Sequence, residues 1–195
     1  MSKGEQILTA AIRHLNTDPT ASMGRIAEAA GVSRATLHRY YATREELLRA
    51  LGEQAMDRWE QSQRSAGIEA AAASGDPAVL EEALHALMRA FTVDADEHGF
   101  ALTDHFVNHL PELVRRGEEL EEREIVFYAA CQRAGVLRAD LPARWVSNTV
   151  YGLMVTVRDS LRNGDVARRD IERLMITTFL AGTADRPGET PGERR

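Results

Sequence analysis

At 195 residues with a formal net charge of −6 and one cysteine, the chain can hold a small module plus a larger hydrophobic core, and it excludes both a disulfide-stapled scaffold and a multi-cysteine metal cage. No apolar run approaches the roughly 18 residues a bilayer span needs and no charged-then-apolar leader opens the chain, so a cytoplasmic location without membrane contact is expected. The acid is unevenly spread: residues 1–50 carry seven Lys/Arg and five Asp/Glu, net +2, which leaves 17 against 25, net −8, for the remainder. An acidic body discourages nonspecific adhesion to a polyanion while a basic head is left free to approach one.

The spacing predicts a first helix over about Lys3 to Leu15, with Ile7, Leu8, Ala11, Ile12 and Leu15 on one stripe. Ser22 caps a second, Met23 to Ala30, which Gly31 ends because a sharp turn there needs a residue tolerant of positive φ. Val32 plugs the angle and Ser33 caps a third helix, Arg34 to Tyr41. Leu37 and Tyr41 face inward at i, i+4, while Arg34, Thr36, His38, Arg39 and Tyr40 project outward. Helix, tight turn, helix is the layout of a reader of the DNA major groove, where Arg pairs bidentately with guanine and Thr meets a thymine methyl. Tyr40 and Arg44 suit phosphates, which fix register rather than read sequence.

The run IAEAAGVSRATLHRYYATREELLRAL resembles the N-terminal signature of the TetR family of bacterial transcriptional repressors, roughly I-A-x-x-A-G-V-S-x-G-T-L-Y-x-[HY]-F-x-[ST]-[KR]-[ED]-x-L. That resemblance implies DNA contacts from Ser22, Met23, Gly24 and Arg25 at the start of the second helix, and from Ser33 at the turn. It implies further contacts from Arg34, Ala35, Thr36, His38, Arg39 and Tyr40, with Arg44 in the place of a phosphate-clamping Lys. Ala35, His38 and Tyr41 depart from the usual Gly, Tyr and Phe.

Thr43 caps a fourth helix whose apolar face, Leu47, Leu48, Leu51, Ala55 and Trp59, runs well past the head and joins it mechanically to the body. Ser65 to Pro77 reads as a break, Asp76 and Pro77 as cap and first position of a helix carrying Leu80, Leu84, Leu87, Met88 and Phe91. The pattern loosens at His98 and Gly99, and a short helix is expected from Phe100 to Leu110. Pro111 opens a helix to Ala134, within which RRGEELEERE reads as a solvated face. Two more follow, Pro142 to Arg162 and Val166 to Ala181, and the polar tail after them is expected to be disordered. The expected fold is therefore all-α: a head over residues 1–50, a larger helical unit over 51–183 and a tail over 184–195.

Val150, Tyr151, Leu153, Met154, Val155 and Val157 make the penultimate helix apolar nearly all round, so it is buried on two sides, with Gly152 permitting close approach. The family resemblance implies a four-helix homodimer interface there. The residues expected in it are Val146, Val150, Gly152, Leu153 and Val157 with Ile171, Leu174, Met175, Thr178 and Phe179. Two short readers related by a two-fold recognise a palindromic operator.

The resemblance also implies a chamber for a small-molecule effector, which the sequence does not identify. Phe91, Phe100, Phe106, Tyr128, Tyr151 and Met154 are its expected walls, and Asp104, His105, Asn108, His109 and Cys131 its expected polar contacts. Cys131, in a helical run, reads as a buried thiol. No cofactor is expected. Asp104, His105 and His109 raise the alternative of a metal-responsive regulator, since His at i, i+4 share one helix face. A ligand-binding helical protein with a degenerate head is the other alternative. With no phosphate loop, nucleophile elbow or acid–base pair, an enzyme is not expected. Effector binding is expected to swing the fourth helix and move the two heads out of groove register, with DNA weakening effector binding equally.

Overall fold

The structure, a computed structural model, describes residues 2–103 and 109–184. Among the described residues the chain forms α1 (Lys3–Thr17), α2 (Met23–Ala29), α3 (Arg34–Tyr40), α4 (Arg44–Ala66), α5 (Ile68–Ser74), α6 (Pro77–Thr103), α7 (Pro111–Arg133), α8 (Ala143–Asn163) and α9 (Arg168–Thr183). The fold is all-α; the one strand-like pairing among the described residues is an isolated bridge between Leu137 and Ala184. Ala184 is thus still tied to the body. Residues 185–195 of the expected tail lie outside the described residues, as do Asp104, His105, Phe106 and Asn108.

Helix starts follow the side chains that satisfy orphan N–H groups. Ser22 Oγ accepts from the Arg25 N–H, Ser33 Oγ from Thr36 at 3.1 Å and Thr43 Oγ1 from Glu46 at 3.1 Å. Asp76 Oδ1 accepts from the N–H groups of Ala78 and Val79, with Pro77 at the first helical position. Gly31 turns α2 into α3 at φ 63°, where any Cβ would be strained.

Two expected boundaries differ. The break at 65–77 contains α5, because Ala70 to Ala73 favour helix and bury Ile68 and Ala71 between two left-handed glycines, Gly67 and Gly75. Near His98 the chain does not stop: α6 continues through a kink at His98 (φ −121°, ψ 16°) to Thr103. A kink frees backbone groups that need partners. Asn16 of α1 supplies them, its Nδ2 donating to the carbonyls of Asp96 (3.3 Å) and Glu97 (2.9 Å) and its Oδ1 accepting from the Phe100 N–H (2.8 Å).

Two cores result. The head core packs Ile7, Ala11, Ile12 and Leu15 of α1 against Ile26, Leu37, Leu47 and Leu51. Burying each such Leu or Ile side chain stabilises by about 1.5–3 kcal/mol. Phe100 reaches this core from α6. The body core gathers Leu80, Leu84, Leu87 and Phe91 of α6 with Phe127, Val150, Val157 and Phe179. Helix α4 belongs to both halves, packing on α1 at its start and on α6 and α7 further along.

Candidate nucleic-acid interface and ligand cavity

Helix α3 buries Leu37 and turns Arg34, Ala35, His38, Arg39 and Tyr40 outward, with Thr36 half-buried. Ser33 Oγ and Thr36 Oγ1 are 2.9 Å apart, so the cap and the first turn form one rigid unit. Gly24 makes room for Arg34: a Cβ there would lie 2.7 Å from the Arg34 guanidinium. Met23 is half-buried against the head core, while Ser22 and Arg25 are exposed. Arg25 pairs with Asp18 at 2.9 Å. The Arg39 guanidinium lies 5.5 Å from the centre of the Tyr40 ring, and the Tyr41 hydroxyl donates to the Gly4 carbonyl at 3.4 Å. His38 Nδ1 is 3.1 Å from the Ala42 carbonyl, which can only accept, so Nδ1 is the donor in this contact. Of the expected recognition residues, Ser22, Arg25, Ser33, Arg34, Ala35, His38, Arg39 and Tyr40 are exposed, and Met23, Gly24 and Thr36 are half-buried.

Arg44 is placed differently from its expected role as a phosphate clamp. Its guanidinium donates to the backbone carbonyls of Ala21 and, at 2.9 Å, Pro19, pinning the loop between α1 and α2. Both carbonyls precede α2 and have no helical partner of their own. Arg44, half-buried, thus positions the start of α2.

A cavity of about 380 Å³ lies between α4, α6, α7 and α8. Phe91, Tyr151 and Met154 line it, as expected from the sequence. Tyr151 is held by a 2.8 Å hydrogen bond from its hydroxyl to the Leu102 carbonyl. Other expected wall residues lie elsewhere. Phe100 is in the head core, and Tyr128 and Cys131 are in the body core, where burial pushes the thiol up to about 12 and keeps it protonated. His109 is exposed and does not line the cavity.

The wall also has residues the sequence reading missed: Arg58 and Trp59 of α4, Asp94 and His98 of α6, and Glu124 of α7. Glu124 ends the run read as a solvated face, yet it is 3% exposed. The signal was present: Leu113, Leu120, Glu124, Phe127 and Cys131 share one helical stripe, and an acid within an apolar stripe marks a buried polar site. Glu124 Oε1 accepts from the Trp59 indole N–H and, at 2.7 Å, from Gln63 Nε2. Burial nonetheless pushes its carboxyl up to about 7. Asp94 is paired with Arg58 at 2.9 Å and accepts from the Ser62 hydroxyl. Burial lowers the His98 pKa, so the ring stays neutral at pH 7.

A larger cleft of about 560 Å³ separates α1 from α6, α8 and α9, with Arg13, Arg58, Arg158, Arg162 and Arg168 around it. Its charges are largely matched internally, as in the Arg168 pair with Asp96 at 2.7 Å and the Arg158 pair with Asp159 at 2.8 Å. The smaller, aromatic cavity is the better match to a small organic molecule. Among the described residues no group of three His, Cys, Asp or Glu is placed to hold a metal. Asp104 and His105 lie outside them, and nothing supports the metal-responsive alternative.

The residues expected between two copies divide by face. Val146, Val150, Val157, Ile171, Met175 and Phe179 are buried within the chain's own core, because α8 packs on α6 and α7 as well as on α9. Leu153 and Leu174 are half-buried, and Gly152 and Thr178 are exposed. The open face of α8 runs Trp145, Gly152 and Thr156, with Trp145 60% exposed and open space beside Gly152.

Comparisons with known proteins bear on both halves. The sequence model of a family described as bacterial regulatory proteins, tetR family, matches residues 7–51, which span α1 to the start of α4. Over 186 residues, 93% of this chain and 90% of the relative, the sequence is 31% identical to the HTH-type transcriptional repressor LfrR of Mycolicibacterium smegmatis. It is 26% identical over 187 residues to the HTH-type transcriptional regulator NfxB of Pseudomonas aeruginosa, covering 95% of this chain and 96% of that protein. The structure of LfrR in complex with proflavine superposes with a TM-score of 0.69 at 29% identity, covering 92% of this chain and 95% of that one. AibR, solved with isovaleryl coenzyme A and operator DNA, shares the fold with a TM-score of 0.69 at 19% identity, covering 91% of this chain and 97% of that one. With a helix-turn-helix head, a helical body and relatedness along nearly its whole length, this chain belongs to the TetR family of bacterial transcriptional regulators.

Proposed function

We propose that the protein is a repressor that binds a palindromic operator as a homodimer and is released by a small-molecule effector in the α4/α6/α7/α8 cavity. One observation carries this reading: α4 continues directly from the reading head into the cavity wall, so Arg44 and Trp59 sit on one 23-residue rod. An occupant that displaces Trp59 tilts α3 relative to its copy. Displacing two readers spaced by about one DNA turn, roughly 34 Å, breaks their joint register.

Supporting the dimer, the open face of α8 carries a large exposed indole two turns before a glycine with open space beside it, which suits close helix approach. LfrR, the relative solved with proflavine, supports an organic effector, and a DNA regulator of this kind works in the cytoplasm. No helix among the described residues is long and apolar enough to cross a membrane.

The test is selection of bound fragments from random and genomic DNA at two salt concentrations. Enrichment of an inverted repeat, with affinity falling as salt rises, is the expected result. Binding as a monomer to unrelated sequences would overturn it.

A further inference from the structure

Three acids line the cavity, and they are not equally matched. Asp94 is paired with Arg58 at 2.9 Å, and Glu121 with Arg144 at 2.9 Å. Glu124 has no cationic partner among the described residues: its Oε1 takes neutral donors from Trp59 and Gln63, and its Oε2 has the Tyr128 hydroxyl at 3.5 Å. A carboxylate can accept about four hydrogen bonds, and among the described residues Oε2 has only the long Tyr128 contact, so it keeps accepting capacity. Trp59, Phe91, Tyr151 and Met154 line the same cavity. Aromatic faces attract cations, and a desolvated site strengthens that attraction. An anion here would meet unmatched negative charge, and a neutral hydrocarbon would leave Glu124 buried without a cationic partner.

We propose that the effector is an organic monocation and that Glu124 is its counter-ion, a reading that rests on this cavity being the effector site. At about 380 Å³ the cavity is near the lower end of the range for drug-sized ligands. Binding is coupled to a proton. Burial holds Glu124 up to about 7 in the empty protein, and a cation beside it drives the proton off. The charged or titratable groups facing it are Arg58 on α4, Asp94 and His98 on α6, Glu121 and Tyr128 on α7, and Tyr151 on α8. Of these, His98 is the other group that can gain charge as the pH falls, its pKa lowered by burial. Cation affinity is therefore at its plateau when Glu124 is already ionised, and it weakens as the pH falls below 7.

The test uses the full chain with two tricyclic probes, the cation proflavine and the neutral acridone, each titrated by fluorescence from about pH 6 to 8.5. Proflavine is expected to bind about tenfold more tightly than acridone at the upper end and to lose about tenfold towards pH 6, while acridone stays level. In Glu124→Gln the preference falls to about twofold or less and the pH slope disappears. If the variant does not fold, the two wild-type profiles decide the matter alone. Equal, pH-independent binding of both probes would leave the cavity as the effector site and overturn the cation assignment. A slope retained in Glu124→Gln would assign it to His98 and overturn the role of Glu124. Binding of neither probe would overturn the cavity reading and this proposal together.

Discussion

Asn16 of α1 and Phe100 of α6 are joined by a 2.8 Å hydrogen bond from the Phe100 N–H to Asn16 Oδ1, and the same side chain donates to the carbonyls of Asp96 and Glu97. These backbone groups are the ones released by the kink at His98, and His98 lines the cavity. One head residue therefore caps a break in the cavity wall, while Phe100 buries its ring in the head core. Head and cavity share this joint in addition to α4.

Asn16→Ala leaves those partly buried backbone groups without partners, at a cost of about 1–3 kcal/mol. The expected outcome is lower thermal stability together with a smaller loss of operator affinity when the cavity is filled. Calorimetric melting and operator titration with and without proflavine check both. Unchanged coupling would mean that α4 alone transmits the signal.

Arg39 and Arg44 are expected to separate by mechanism. Arg39→Ala, on the open face of α3, is expected to relax base preference by about 1–3 kcal/mol at one position. Arg44→Ala removes the pin on the Pro19 and Ala21 carbonyls and is expected to lower stability, with little change in the salt slope. Urea melts and operator titrations at several salt concentrations distinguish them. A salt slope reduced by about one in Arg44→Ala would return that residue to phosphate contact.

Glu124 gives stability a defined pH dependence. An unfolded Glu titrates near 4.5 and the folded one near 7, so below 4.5 both states hold the proton and nothing is lost. As pH rises from 4.5 to 7 the unfolded chain releases its proton while the fold retains it, and stability falls by up to about 3 kcal/mol. Glu124→Gln lacks this loss. Its melting temperature is expected to match the parent near pH 4.5, exceed it progressively to pH 7 and keep a constant lead beyond. A gap that does not vary with pH would show that Glu124 titrates in the fold as it does in the unfolded chain.

The open stripe of α8 offers a test of assembly. Thr156→Arg places a charge on an exposed position beside Gly152, away from the chain's own core. Sedimentation is expected to show a monomer with unchanged helicity and operator affinity reduced by about 100-fold or more, since a lone reader loses its partner's half-site. A dimer that persists would move the interface elsewhere.

Local rules accounted for the head almost completely. Ser22, Ser33, Thr43 and Gly31 set the helix ends within three or four residues of one another, and such short-range chemistry is visible in a linear string. The apolar periodicity of α6 to α9 likewise announced a helical body. Periodicity states that a face is buried but not against what, so Val150 and Phe179, read as meeting a partner, are in the chain's own core. Arg44 was legible as a cation near DNA, but the carbonyls it holds, more than 20 residues away, were not. Glu124 was hidden by the adjacent charges of Glu122 and Arg123, which a helix turns to other faces because it separates adjacent residues by about 100°. Composition, capping and pattern determined the family and the elements; only packing α4 against α7 across 65 residues decided that an acid, an indole and an amide would meet at the wall of one cavity.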